Sequence, residues 1–246
     1  MRTKPAGMYS SDNMDLYTAL VSGFSSQKPF VCLTGGGGKT TLMIGLASYL
    51  KKQGKKVLIT TTTKIMSPHL LDYGADSVFS DDGVLSFFPE EPICVLYALS
   101  DGITSRWTSP PLEHLDVLRD RYDAIICEAD GSKRLPLKVH TDRDPVIPGF
   151  STDTVAVTGL WGIGAKASEV SFGDDRDIVV DSDYLQWYID NPQGILKGSI
   201  EGHRTVLLNG ADDCPDLSVL RRLRFPEDIR VYACSEKEGK IYEEIR

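Results

Sequence analysis

With 246 residues, 41% hydrophobic and 25% charged, the chain is long enough to bury a sizeable core and has an ordinary globular composition. Its 27 basic and 35 acidic side chains give a net charge of −8, which rules out a general positive field and argues against nucleic acid or an anionic membrane as the main partner. No apolar run approaches the ~20 residues that span a bilayer, no apolar signal core opens the chain, and the five cysteines lack paired spacing, so a cytoplasmic protein is expected.

In chain order, residues 1–11 read as a loose tail, and the spacing of Leu16, Ala19, Leu20 and Phe24 predicts a helix within 12–24. A short apolar run from Phe30 leads into Thr34, then Gly35, Gly36, Gly37 and Gly38, then Lys39, Thr40 and Thr41. An apolar helical pattern follows through Leu50 and closes on Lys51, Lys52 and Gly54, a cationic last turn and a C-terminal glycine. Residues 57–60 predict a buried strand that runs into a row of threonines and Lys64. Further apolar strands are predicted at 93–98, 124–127, 155–158, 206–208 and 229–232, with helices at 112–121, 183–189 and 217–223. This alternation predicts an α/β fold, a mostly parallel sheet with helices on both faces, and the glycine loop running into Lys39 and Thr40 makes it P-loop NTPase-like. It is expected as a single domain over 1–246, with the Pro-rich stretch 136–148 as the candidate seam between sub-lobes 1–148 and 149–246.

The order strand, glycine loop, Lys-Thr, helix builds a phosphate cradle. Glycines let the backbone bend tightly and approach an anion closely, and the following helix aims unpaired N–H groups and its positive dipole end at the same spot. Lys39 would reach the β- and γ-phosphates of ATP or GTP, and Thr40 would hold Mg²⁺. The common pattern G-x-x-x-x-G-K-S/T requires a glycine where Leu33 stands, so this loop is tighter. The shortened form resembles the loop of Mur-type amide ligases and folylpolyglutamate synthetases.

The strand at 124–127 ends in Glu128 and Asp130, a pair of carboxylates of the kind that serves a nucleotide-bound Mg²⁺. One is expected on the metal or its water and the other on a nucleophile, with Lys39 completing the catalytic set. The hydroxyls around Thr62 could supply a second metal ligand or a γ-phosphate contact; β-branched strand propensity followed by a helix cap explains them equally. Lys64 is either a second phosphate-neutralising cation or a solvated lysine. Lys133, Arg134 and Lys138 form a local basic loop, suited to an anionic second substrate or simply solvated. Asn209 and Asp212 sit at the positions of the N-K-x-D element with which GTPases read guanine, but Gly210 replaces its lysine, which leaves the base open. His69, His114, His140 and His203 lack ligand spacing and read as surface or capping residues, and Cys32, Cys94 and Cys127 as small buried hydrophobes.

Taken together these segments resemble the YqeC family. The resemblance is carried by the loop from Thr34 to Met43, the threonine row into Lys64, and the run from Glu128 to Lys138. It extends to the segments 144–148, 159–164, 194–198 and 208–212, in family order. It implies a P-loop nucleoside-triphosphate protein that assists maturation of selenium-dependent molybdenum hydroxylases. A His-Arg pair of the family is absent from the expected region, where Arg176 alone remains. Two other readings stand beside it. One is a ligase or kinase that passes a phosphoryl group to a small acceptor. The other is a non-catalytic nucleotide-sensing module that docks on a hydroxylase or cytidylyltransferase-like partner.

Overall fold

Residues 15–100, 102, 103, 105–214 and 217–246 are described by the computed structural model, so the tail expected at 1–11 and the start of the helix expected at 12–24 lie outside the described residues. Each apolar run becomes a strand: β1 (Phe30–Gly35), β2 (Val57–Thr61), β5 (Cys94–Tyr97), β7 (Ala124–Glu128), β9 (Asp153–Gly159), β11 (Arg204–Asn209) and β12 (Ile229–Ser235). Short or edge strands complete the set: β3 (Lys64–Met66), β4 (Ser77–Phe79), β6 (Arg106–Thr108), β8 (Leu137–Lys138), β10 (Ser171–Phe172) and β13 (Lys240–Glu244). The helices are α1 (Leu16–Ser22), α2 (Lys39–Lys52), α3 (Leu112–Leu118), α4 (Ala167–Val170) and α5 (Ser182–Asp190). The segment Leu217–Arg222, expected as an α-helix, is a 3₁₀ helix.

Among the described residues one sheet takes nine strands in the order β13-β12-β11-β9-β1-β7-β2-β5-β4. Every neighbouring pair is parallel except β12 with β13. Strands from both sides of residue 148 join it. Period-two alternation divides the side chains between the two faces. On β1, Val31 and Leu33 pack with Leu42, Met43 and Leu46 of α2, while Phe30 and Cys32 pack with Leu115 and Leu118 of α3. On β11, Leu207 joins the α2 side, and Val206 and Leu208 join α5 through Tyr184, Leu185 and Tyr188. The centre of the sheet is therefore buried on both faces, which is why its strands read as continuous apolar runs. The cysteines at 32, 94, 127 and 234 are buried and Cys214 half-buried, and none of them forms a disulfide among the described residues.

The chain places β2, β5 and β4 on one side of β1 and returns through β7, then crosses to β9, β11 and β12 on the other. That reversal opens a crevice at the carboxyl ends of β1 and its neighbours. Among the described residues no helix is long and apolar enough to cross a membrane.

Candidate functional site

The glycine loop is wedged between two backbones. Gly36 N–H donates to Val157 O (2.9 Å) and Gly37 N–H to Leu135 O (3.0 Å). A Cβ at Gly37, whose φ is +72°, would stand 2.2 Å from Gly159 N. Only glycine fits that approach. Gly35 N–H donates to Asp130 Oδ2 (2.7 Å). The amides of Gly35, Gly36 and Gly37 are thus engaged within the protein, and the donors facing outward are those at the start of α2, from Gly38 to Thr41. No side chain caps that helix end among the described residues. A 14-residue helix with an uncapped N-terminus leaves its first N–H groups to water or an anion.

Beneath the loop lies a buried charge network. Lys39 Nζ is 2.9 Å from Asp130 Oδ1, with side-chain exposures of 4% and 0%. The Lys39 ammonium also donates to Gly35 O. His140 faces Asp130 Oδ2 at 2.7 Å through Nε2 and Gly194 O at 2.9 Å through Nδ1, so acceptors flank both ring nitrogens. Burial alone would raise the Asp130 carboxyl; Lys39, His140 and Lys138 outweigh it and hold the group at about 2. His140, expected at the surface, is buried here. Its neighbours in sequence gave no signal, because its partner Asp130 comes from the preceding strand end.

Asp130 and Glu128 take different directions because β7 stops between them. Ala129 N–H still bonds Leu33 O (2.9 Å), and Asp130 then turns under the loop. Glu128 stays on the rim and accepts from Thr40 Oγ1 at 2.8 Å. Burial pushes the Glu128 carboxyl above its usual range, against the pull of Lys39 and the Thr40 hydrogen bond.

The remaining candidate residues divide. Thr34 is buried. The hydroxyls of Thr60, Thr61 and Thr62 donate to Tyr97 O (2.8 Å), Glu128 O (2.9 Å) and Val146 O (2.6 Å), so they lock the strand end in place. Lys64 is exposed on β3 and borders neither cavity described below. Lys138 is buried, with its ammonium held by Gly131 O (2.5 Å) and by Asp144. Lys133 and Arg134 do face the site. They share a cavity of about 380 Å³ with Thr40, Glu128, Tyr73 and Arg106. Both adopt left-handed backbone, with φ of 51° and 66°, a strained conformation for non-glycine residues.

Asn209 braces the loop. Its amide donates to Gly37 O (2.9 Å), and its oxygen accepts Glu236 N–H (2.9 Å). Asp212 borders a second cavity, of about 850 Å³, on the opposite flank of the loop. Glu236 belongs to the same wall and escaped the sequence reading. It follows an apolar strand end as Glu128 does, and that was the available signal. Among the described residues no cluster of three or more His, Cys, Asp or Glu side chains could hold a metal by itself. Any cation here would share its shell with phosphate and water.

The family model described as YqeC protein matches residues 31–172, more than half of the chain, from β1 through β10. An uncharacterized protein of Escherichia coli (strain K12), YqeC, is 31% identical over 216 residues, covering 80% of this chain and 82% of the relative. The matched span includes the glycine loop, Glu128, Asp130, the basic loop and His140, and on these findings the chain belongs to the YqeC family.

Proposed function

We propose that the chain binds a nucleoside triphosphate with Mg²⁺ at the start of α2 and transfers its terminal phosphoryl group. The observation that carries this is the pairing of Thr40 Oγ1 with Glu128 at 2.8 Å directly beside the uncapped helix N-terminus. Thr40 and Glu128 would supply hard oxygen ligands to a bound Mg²⁺, with phosphate and water as its other partners. Held there, Mg²⁺ would supply charge neutralisation at the triphosphate. The helix-start amides bind phosphate oxygens, and the Lys39 ammonium, aligned by Asp130, offsets the charge that develops on the transferring group.

The γ-phosphate flank opens onto the cavity with Lys133 and Arg134, which favours a second reading of the same site: transfer to an anionic acceptor instead of water. The family resemblance supports placing this chemistry in the maturation of selenium-dependent molybdenum hydroxylases, with a hydroxylase or cytidylyltransferase-like protein as partner.

Calorimetry of ATP, GTP and CTP with Mg²⁺ tests the site, followed by phosphate release on the tightest binder. Replacing Lys39 would leave Asp130 with a buried charge and disturb folding, so Thr40→Ala is the cleaner variant. It should retain the fold and lose Mg²⁺-dependent affinity by about tenfold or more. Affinity that ignores both Mg²⁺ and Thr40→Ala would refute the reading. Diphosphate production that requires an added anion separates transfer from hydrolysis.

A further inference from the structure

The 850 Å³ cavity is bordered by Trp161, Asn209, Asp212, Glu236 and Thr41, and its size suits a nucleoside. The Trp161 indole lies on a shelf of two glycines. A Cβ at Gly159 would come 2.7 Å from the ring, and one at Gly210 would come 2.9 Å from it. With one face against backbone and the side chain 53% exposed, the indole offers its other face to the cavity. Gly210 stands where the lysine of an N-K-x-D element would be, and the indole occupies the space which that lysine stem would need.

Glu236 lines the same cavity, is 4% exposed, and neither of its carboxylate oxygens has a hydrogen-bond partner among the described residues. A Cβ at Gly38 would stand 2.2 Å from its Oε2, so the carboxylate touches the phosphate loop from the cavity side. Burial pushes the Glu236 carboxyl well above its usual range, with Lys39 opposing. Its orphaned oxygens cost free energy until a ligand group bonds them, and a pair of donors placed there would favour the ionised carboxylate over the neutral acid. Asp212 adds a second carboxylate on the same border, and the Asn209 bonds to Gly37 and Glu236 fix this wall to the loop.

We propose that this cavity holds the nucleoside half of the bound nucleotide, with its base stacked on Trp161, and that its carboxylates select guanine. The inference rests on the phosphate-loop reading above. Guanine presents N1–H and N2–H₂ side by side, two donors for the two oxygens of one carboxylate. Adenine and cytosine each place an acceptor nitrogen beside their amino group, so a carboxylate there meets a lone pair. Aromatic stacking supplies base-independent affinity, and the paired donors supply the choice.

The experiment is a titration of the full chain with GDP, IDP, XDP and ADP, read by calorimetry and by indole fluorescence. GDP should bind tightest and ADP roughly ten- to a hundredfold more weakly. IDP, which lacks the N2 amino group, should fall between them. Asp212→Asn and Glu236→Gln are measured separately. The variant that removes the reading carboxylate should shift preference from guanine to xanthine, because an amide can donate to the xanthine O2 and still accept from N1–H. Trp161→Ala should weaken all four together, and Trp161→Phe should restore them. Equal affinity for GDP and ADP, or a guanine preference that survives both amide variants, would overturn this inference and leave the phosphate loop standing. Failure of every nucleotide to bind would overturn both.

Discussion

Asp174 shows what a single side chain contributes away from the phosphate loop. Its carboxylate accepts from Arg176 Nε (2.9 Å) and Nη2 (2.7 Å) and from the Tyr184 hydroxyl (2.8 Å), and the guanidinium lies 3.6 Å from the centre of the Trp187 ring. Arg176, the residue left where the family pattern has a His-Arg pair, therefore pins the 173–177 loop to α5. Its hydrogen bonds hold the Asp174 carboxyl below its usual value against the opposing effect of burial, with Tyr184 assisting. A lowered carboxyl contributes its stability in full above the ordinary value of ~3.9 and loses it as pH falls towards the folded value. Asp174→Asn should cost about 1 kcal/mol at neutral pH, a figure reduced because Arg176 is half-exposed. The difference between wild type and variant in urea midpoint should shrink as the pH is taken from about 7 to about 3. A gap that stays constant would remove the ion pair as its cause. At this scale Lys39, Thr40, Glu128 and Asp130 were all legible in the chain, since each follows a strand end. The division of labour between the two carboxylates was not, because it depends on where β7 stops. The burial of Lys138 and His140 was equally hidden, since residues from 130, 144 and 194 surround them.

Among the elements, α2 ties the site to the core. Lys39 opens it, and Leu42, Met43, Leu46 and Leu50 anchor it on the sheet. Leu46 is fully buried, so Leu46→Ala should destabilise the chain by about 2–5 kcal/mol. A lowered denaturant midpoint with unchanged slope would show this, and an unchanged midpoint would mean the site collapses to fill the gap. The helix end was readable from Lys51, Lys52 and Gly54; the chain turns there with Gly54 at φ +80° and Lys55 N–H bonded to Leu50 O (3.1 Å). The central strands were readable because burial on both faces produces unbroken apolar runs. The edge strands were not. β13 alternates Ile241 with exposed Tyr242 and carries Lys240, Glu243 and Glu244, a pattern set by pairing with β12 and not by its own residues. The 3₁₀ geometry of Leu217–Arg222 was likewise invisible, since its apolar spacing suits either helix type.

At the scale of the whole molecule, β1 has four strands on either side, and the start of α2 stands above the crevice between them. A ligand that joins both flanks holds the folded state against the unfolded one. Mg²⁺-nucleotide at about a hundred times its dissociation constant should add about 2.7 kcal/mol to unfolding, seen as a raised melting temperature. Thr40→Ala should lose the part of that rise that requires Mg²⁺. An identical rise with and without the cation would detach the metal from the site.

Gly38 and Thr41 border both cavities, so the two chambers meet at the start of α2. Contents of either chamber press on the same helical turn. Whatever factor an occupant of one imposes on affinity in the other must be returned in full by its neighbour, and this reciprocity makes the first turn of α2 a coupling joint as well as a phosphate seat.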